Sequence, residues 1–147
     1  DKGNIGIHIC YDLWFPETAR ALAVAGAELI INPTMTPTKD RDIEMVMVQA
    51  TAAQQQCYYV DINGSGEQGV GKSLICDFEG SVIDEANQEN KILEAEIDFE
   101  KVKEARRKGF MGLGQPLKSF RDNPFNPVNY MNKEYLDSLG DLKKDKK

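Results

Sequence analysis

The sequence predicts an α/β fold. Short runs of β-branched residues alternate with segments in which apolar residues recur at helical spacing. The opening stretch is the clearest case, with a strand predicted over residues 4–10, a helix over residues 16–25 and a second strand over residues 28–32. Because a helix connects the two strands, we expect them to lie parallel in one sheet, joined by a right-handed crossover.

The first strand ends at a cysteine. Its alternation places two sets of side chains on opposite faces, with Ile5, Ile7 and Ile9 on one face and Gly6, His8 and Cys10 on the other. The next helix begins at Pro16, a residue that suits a first helical turn, so the Cys10 thiol is expected near a helix amino terminus. That position favours a thiolate and leaves backbone N–H groups for a developing oxyanion. The alternative is that Cys10 is a small, buried apolar residue.

The second strand ends at the same edge of the sheet. In open α/β sheets, ligands bind at the carboxyl ends of the strands. Thr34 and Met35 follow the second strand and Trp14 follows Cys10, so we predict that all three line a substrate pocket. The alternative for each is a role in packing alone. His8, the only histidine, is interpreted as a hydrogen-bonded strand residue rather than as a catalytic base.

A longer helix is predicted over residues 41–56. Thr38 or Asp40 is expected to cap its amino terminus, since either side chain can accept a hydrogen bond from a helical N–H. An apolar stripe at helical spacing is expected to face the core, and it consists of Ile43, Val46, Met47, Ala50 and Ala53.

The remaining pattern predicts more strands and one further helix. Strands are expected over residues 57–62, 73–78, 81–84 and 92–97, followed by a helix over residues 98–108 that Phe99 and Val102 anchor. Three prolines interrupt residues 113–147, which we expect to form an irregular tail that ends in a solvated charged run. Aromatic residues in this tail suggest that it packs on another subunit of a homo-oligomer.

Composition limits the possible classes of function. A chain of 147 residues can bury one core, and 41% hydrophobic with 29% charged residues is ordinary for a soluble protein. The net charge of −6 argues against nonspecific binding to nucleic acid or to an anionic membrane. Cys10, Cys57 and Cys76 are odd in number and widely spaced, which argues against a disulfide framework or a structural zinc site. We therefore expect no metal and a reducing, cytoplasmic location.

One segment matches a nucleotide-binding motif. Gly66 to Ser73 reads GEQGVGKS, which fits the phosphate-loop pattern G-x-x-x-x-G-K-S, and a predicted strand precedes it. In a phosphate loop the serine opens a helix. Here residues 74–84 alternate and contain Gly80, which favours a hairpin. Nucleotide binding is kept as an alternative function, and a non-catalytic scaffold is a second alternative.

Several segments in a fixed order resemble a known enzyme family. They read GIHICYDLWFPE around Cys10, then GAELIINPT, QATAAQQQCYYVDINGSG, GKSLICDFEGSVIDEA and ILEAEIDFEKVKEARR. Together they cover residues 3 to about 107 and resemble the nitrilase superfamily of carbon–nitrogen hydrolases. The resemblance implies an α-β-β-α sandwich with mixed sheets, in which residues 1–112 form the carboxy-terminal half of the hydrolase domain.

The resemblance also implies a chemistry. Cys10 matches the family's nucleophile, which attacks an amide or nitrile carbon to form a thioester or thioimidate that water then hydrolyses. The backbone N–H of Tyr11 matches an oxyanion donor. The expected partners are a small amide or nitrile substrate and water, without a metal or organic cofactor. Amidase, nitrilase and carbamoylase activities all stay open.

The family's other catalytic groups are expected outside this chain. The family uses a glutamate as general base and a lysine that stabilises the tetrahedral intermediate, and both precede the cysteine. Only nine residues precede Cys10 here, and Asp1 and Lys2 are the charged side chains among them. We therefore expect the chain to be the second half of a longer protein and to be inactive, or nearly so, by itself.

Overall fold

The computed structural model describes residues 2–66 and 69–142, and a five-stranded mixed sheet lies at its centre. The strands lie side by side in the order in which they occur in the chain. They are β1 (Ile5–Ile7), β2 (Leu29–Thr34), β3 (Tyr58–Asn63), β4 (Leu74–Cys76) and β5 (Val82–Glu85). The helices are α1 (Pro16–Val24), α2 (Asp40–Gln55), α3 (Phe99–Lys108), α4 (Pro116–Asp122) and α5 (Lys133–Ser138), with 3-10 helices at Cys10–Trp14 and Pro127–Tyr130.

Strand pairing confirms the predicted α/β class. β1, β2 and β3 are parallel, with Ile5 beside Leu29 and Leu29 beside Tyr58. β4 and β5 then add antiparallel neighbours on the far side of β3. The parallel pairing of β1 with β2 agrees with the sequence prediction, because the helix α1 returns the chain to the starting edge of the sheet.

Helices cover the two faces of the sheet unequally. α1 and α2 pack on one face, over a core that includes the fully buried side chains of Ile30 and Tyr59. α3 packs on the opposite face through Val102, which is also fully buried. Part of this second face is left open, and its exposed apolar side chains are Ile5, Ile7 and Ile62. We call these three residues the open strip.

The face that α2 buries differs from the predicted one. Two members of the predicted apolar stripe, Ile43 and Val46, are 51% and 65% exposed. The buried side chains of the helix are Arg41, Glu44, Val48, Thr51, Ala52 and Gln55. Arg41 and Glu44 form a buried ion pair, and their partners on neighbouring strands and loops fix the rotation of the helix about its axis. Met47 of the predicted stripe packs against the core. The prediction was wrong for Ile43 and Val46, because the helix buries Val48 and Ala52 together with its polar residues instead.

Several element boundaries also differ from prediction. β1 is shorter because Cys10 opens a 3-10 helix, and β2 is longer because its last two residues continue to pair with β3. Lys39 precedes α2 where Thr38 or Asp40 was expected, and no side chain caps that terminus. Residues 92–97 were expected to form a strand, but no strand of the described chain pairs with them.

The region after β5 contains more helix than predicted. α3 agrees with prediction, and the Asp98 side chain caps it by accepting hydrogen bonds from two N–H groups of the first turn. The tail, expected to be irregular, contains α4, the 3-10 helix at Pro127–Tyr130 and α5. Its apolar side chains are largely exposed, including Phe125 and Tyr130. Residues 143–147 of the predicted charged run lie outside the described residues.

Candidate active site

Three strands bring polar residues to the edge of the sheet at which they end. Cys10 follows β1, Thr34 is the last residue of β2, and Asn63 is the last residue of β3. Because β1, β2 and β3 are parallel neighbours, their carboxyl ends lie side by side. This edge is the candidate site.

Cys10 lies on a tight elbow between β1 and α1. It opens the 3-10 helix with a φ of 53°, in the left-handed region that residues with a β carbon seldom adopt. The Asp12 carboxylate closes the turn by accepting a hydrogen bond of 2.9 Å from the N–H of Ile9. The Thr18 hydroxyl donates to the Asp12 carbonyl at 2.8 Å and ties the elbow to α1. Strained backbone of this kind is frequent at functional sites.

The Cys10 thiol is the accessible one of the three cysteines. Cys10 is partly exposed, and the Thr34 hydroxyl donates a hydrogen bond of 3.4 Å to its sulfur. Cys57 and Cys76 are fully buried, and burial raises the pKa of each of these two thiols to about 12. Cys10 is therefore not a fully buried apolar residue, and it alone of the three can meet a substrate from solvent.

Tyr11 follows Cys10 on the elbow. It is the second residue of the 3-10 helix, a position where a backbone N–H has no partner within the helix. Its side chain is exposed and packs edge to face against Phe15, with 5.2 Å between the ring centroids. The oxyanion role of this N–H stays a prediction.

The three residues predicted to line a pocket lie around the same edge. Trp14 is half-buried and donates its indole N–H to a Glu44 carboxylate oxygen over 3.2 Å. Thr34 contacts the Cys10 sulfur through its hydroxyl. Met35 is exposed, and its thioether lies against Gly64. Contact of Trp14, Thr34 and Met35 with a substrate stays a prediction.

A buried ionic cluster lies beneath the site. Arg41 is fully buried and pairs with Asp61 and, at 3.3 Å, with Glu44. Arg41 also donates two hydrogen bonds, of 2.7 and 3.2 Å, to the carbonyl of Lys72. The Asn32 amide donates to Asp61 at 2.6 Å. Burial raises the pKa of Asp61, although Arg41 and then Asn32 favour its ionised form.

The sequence analysis did not identify this cluster. Its members come from α2, from β2 and β3 and from the loop before β4, so their proximity depends on the tertiary structure. One signal was present, because Asp61 interrupts the otherwise apolar start of the strand Tyr58–Asn63. A carboxylate in a central strand is seldom buried without a partner, so this residue predicts a buried cation elsewhere in the chain.

Asn63 fixes the loops that flank the site. Its side-chain oxygen accepts a hydrogen bond of 2.7 Å from the N–H of Thr36. Its amide nitrogen donates to the carbonyls of Thr36, at 3.1 Å, and Gly71, at 2.7 Å. Asn63 is itself buried, so the backbone after β2 is held in place by directional contacts rather than by packing alone.

His8 supports the elbow from the side of the sheet. It is 5% exposed, with Nε2 against the Tyr59 hydroxyl and Nδ1 at 3.2 Å from the Thr18 hydroxyl. Burial lowers the pKa of His8, and the Asp12 carboxylate opposes that effect. The His8 ring is hydrogen-bonded, as predicted, but His8 lies one residue after β1 rather than within the strand.

The segment that matches a phosphate loop lacks the helix which that motif requires. Ser73 leads into β4 instead, and its hydroxyl accepts a hydrogen bond of 2.9 Å from the N–H of Asn63. The Lys72 ammonium pairs with Asp42 at 2.5 Å. Glu67 and Gln68 of the motif lie outside the described residues. The described part of the motif thus serves as a connection between strands.

Within residues 2–66 and 69–142, no group of three or more His, Cys, Asp or Glu side chains is arranged to bind a metal ion. None of the helices in these ranges combines the length and the apolar character that crossing a membrane requires. A cavity of about 420 Å³ lies between α1, α2 and the tail, next to Arg20 and Phe120, and Cys10 is not part of its lining.

Comparisons with known sequences point to one family. The sequence profile of the family described as carbon–nitrogen hydrolase matches residues 1–107. An (R)-stereoselective amidase of a Pseudomonas species is 36% identical over 111 residues, which cover 71% of this chain and 40% of that relative. The chain spans about two-fifths of the length of the curated relatives it matches first.

Solved structures of the same fold agree. Saccharomyces cerevisiae Nit3, a member of branch 10 of the nitrilase superfamily, superposes with a TM-score of 0.64 at 28% identity, over 70% of this chain and 40% of that one. An amidase from Nesterenkonia sp. AN1 superposes with a TM-score of 0.55 at 27% identity, over 58% of this chain and 34% of that one. A mutant of that amidase shows covalent addition of the acetamide moiety of fluoroacetamide at the active site cysteine.

Proposed function

The chain belongs to the carbon–nitrogen hydrolase family, and on that premise we propose that it takes part in hydrolysing a nonpeptide carbon–nitrogen bond of an aliphatic amide or a related small molecule. One observation carries the proposal. Cys10, inside the matched segment, is an accessible thiol on a left-handed elbow, with a hydroxyl donor on its sulfur. The covalent adduct on the active site cysteine of the Nesterenkonia amidase supports the same role for Cys10.

Cys10 is proposed to act as the nucleophile. Its thiolate forms a bond to the carbonyl carbon, the carbon–nitrogen bond breaks as the amine leaves with a proton, and a thioester remains. Water then attacks the thioester, the carboxylic acid is released, and the sulfur regains its starting form. The N–H of Tyr11 is the candidate donor to the oxyanion that develops in both steps. Attack on a nitrile carbon would give a thioimidate by the same geometry.

This chain supplies only part of the catalytic set in our proposal. The one hydrogen bond of the Cys10 sulfur within the described residues is that from Thr34, which cannot serve as a strong base. We propose that the family's glutamate and lysine come from a preceding segment of a longer polypeptide, here called the extended protein. The open strip supports this arrangement, because a second sheet packed on it would remove those isoleucines from water. The 147-residue chain is then inactive, or nearly so, by itself.

Trapping of the acyl-enzyme tests the proposal. The extended protein, quenched in acid during turnover of a small aliphatic amide, should carry the acyl mass on the peptide that contains Cys10. Cys10→Ala should reduce turnover by about 10³-fold or more, as loss of a nucleophile does. Cys57→Ala, at a buried thiol of similar size, is the matched control and should retain activity. Full activity in Cys10→Ala would refute the mechanism. Turnover by the 147-residue chain alone would refute the proposal that the glutamate and the lysine come from a preceding segment.

We also propose that the protein is a cytoplasmic homo-oligomer. The tail exposes Phe125, Tyr130 and Leu139, and packing on another subunit would bury these side chains. All three cysteines are free thiols, which suits a reducing compartment. Sedimentation of the extended protein with and without residues 113–147 tests the first point, since the deletion should lower the assembly's mass.

A further inference from the structure

Glu44 has no role in the chemistry proposed above, yet it contacts both sides of the candidate site. It lies on α2 and is 5% exposed. One carboxylate oxygen accepts the indole N–H of Trp14 at 3.2 Å. The other accepts the Thr36 hydroxyl at 2.8 Å and an Arg41 N–H at 3.3 Å. A buried carboxylate is costly unless donors surround it, and these three donors meet that requirement.

A path of hydroxyl groups runs from Glu44 to the nucleophile. The Thr36 and Thr34 hydroxyl oxygens are 3.3 Å apart, and Thr34 donates to the Cys10 sulfur at 3.4 Å. Thr36 gives its single hydroxyl proton to Glu44, so its oxygen faces Thr34 as an acceptor. The Thr34 hydroxyl therefore lies between two acceptors, the Thr36 oxygen and the sulfur, and it shares its single proton between them in a three-centre hydrogen bond, which fits the two long distances. This arrangement holds Thr34 beside Cys10.

The second contact of Glu44 fixes an aromatic side chain near the nucleophile. Trp14 is the last residue of the 3-10 helix that Cys10 opens. Its ring lines a cavity of about 220 Å³ together with Leu13 and Met47. Because the indole has one N–H donor, its bond to Glu44 sets the rotation of the ring within that space. One carboxylate thus orients both Thr36 and Trp14, the last residue of the 3-10 helix that Cys10 opens.

The chemistry of these contacts makes a carboxylate necessary at position 44. Trp14, Thr36 and Arg41 all donate to it, and a carboxylate accepts from all three. An amide of the same size carries an NH₂ group, which must face at least one of these donors. Glu44→Gln therefore preserves the volume of the side chain and breaks at least one of its contacts.

We propose that Glu44 is a positioning residue for the nucleophile. It fixes Thr36, which in turn holds the Thr34 hydroxyl beside the Cys10 sulfur, and it fixes Trp14 at the end of the 3-10 helix that Cys10 opens. Glu44 acts through these side chains and touches none of the reacting atoms. The kinetic consequences rest on the proposed amide hydrolysis, whereas the Trp14 contact can be measured without turnover.

Fluorescence measures the Trp14 contact directly. Trp14 is the only tryptophan of the 147-residue chain, so acrylamide quenching of that chain reports its exposure. Glu44→Gln should raise the quenching constant, because the cationic Arg41 N–H retains the amide oxygen, and the NH₂ group then faces the indole N–H and releases the ring. Asp42→Asn is the matched control on the same helix, since the Asp42 carboxylate is exposed and pairs with Lys72 outside the cluster. Thr36→Val should also leave the quenching constant unchanged.

Kinetics of the extended protein test the path of hydroxyl groups. Thr36→Val removes the hydroxyl with little change of shape and should lower kcat about fivefold, the equivalent of one hydrogen bond of about 1 kcal/mol, with KM unchanged. Glu44→Gln should lower kcat/KM by about tenfold or more, because it removes the negative charge and the contact with Trp14. Asp42→Asn should keep wild-type kinetics.

The outcomes separate this inference from the proposed function. Unchanged kcat in Thr36→Val, or unchanged Trp14 quenching in Glu44→Gln, would overturn the positioning role. A lower Tm in Glu44→Gln with wild-type kinetics and quenching would assign Glu44 to stability alone and also overturn it. Absence of amide hydrolysis by the unmodified extended protein would refute the proposed function instead, and the quenching experiment would still decide the Glu44–Trp14 contact.

Discussion

Replacing Arg41 by methionine should strongly destabilise the fold. Arg41 is fully buried, and its guanidinium neutralises two buried carboxylates, Asp61 and Glu44. It also satisfies the carbonyl of Lys72 with two hydrogen bonds. Methionine fills a similar volume but carries no charge and no donor. Arg41→Met therefore isolates the electrostatic contribution from the loss of packing.

The expected cost follows from the groups that are left without partners. Removing one partner of a buried ion pair costs about 3–5 kcal/mol, because the other charge stays buried and uncompensated. The orphaned Lys72 carbonyl adds about 1 kcal/mol. A loss of about 4 kcal/mol or more is a large part of the about 5–15 kcal/mol that stabilises a typical domain. Burial already raises the pKa of Asp61, so protonation of Asp61 should reduce the penalty at acid pH.

Urea unfolding at neutral and acid pH measures the effect. The free energy of unfolding, extrapolated linearly to water, should fall by the stated amount at neutral pH and by less in acid. Adding Asp61→Asn to Arg41→Met should restore part of the loss, since it removes one of the stranded charges. Lys103→Met on α3 breaks only an exposed pair with Glu100 and should have no measurable effect. A loss below about 1 kcal/mol for Arg41→Met would refute the reasoning from burial.

Three further predictions follow from individual contacts. Iodoacetamide should label Cys10 in the native protein and spare Cys57 and Cys76, because those two thiols are buried and burial raises their pKa to about 12. Peptide masses that show equal labelling of all three cysteines would contradict this prediction. Burial lowers the pKa of His8 from its ordinary 6.5, so the unfolded chain binds more protons than the folded chain below about pH 6.5. The free energy of unfolding should therefore fall as pH drops below about 6.5. His8→Gln should flatten that part of a pH series of urea midpoints. Gly80 has a φ of 88°, and a β carbon there would lie 2.7 Å from a backbone oxygen of α2. Gly80→Ala should therefore lower Tm and reduce the free energy of unfolding by roughly 1–3 kcal/mol. An unchanged melting curve would show that the loop adapts.

The local elements of this protein could be predicted from short-range patterns. Strict alternation marked β1, Pro16 marked the first turn of α1, and Phe99 and Val102 marked the anchors of α3. Each of these signals acts within a few residues, so no knowledge of the fold was needed. The segment around Cys10 was likewise sufficient to indicate the family, which the profile match to residues 1–107 then supported.

Predictions that depended on distant partners failed or were missed. Residues 92–97 have strand character, but a strand forms only where a neighbour supplies hydrogen bonds, and the described sheet offers none there. Ile43 and Val46 of α2 were expected in a buried stripe. The helix instead buries Val48 and Ala52 beside Arg41, whose partners, Asp61 and the Lys72 carbonyl, lie on other elements. Helical periodicity shows that a helix has an apolar face, but it does not show which face of the helix the rest of the chain will cover.

Sequence by itself determined which cysteine stands at the turn after a strand, because strand alternation and a helix start are encoded within a dozen residues. Only the tertiary structure decided what surrounds that sulfur. Thr34 reaches Cys10 because parallel pairing of β1 with β2 aligns residues that are 24 positions apart. Glu44 reaches Trp14 and Thr36 because α2 packs across the ends of those strands, and the energy that holds it there comes from charges paired across separate elements.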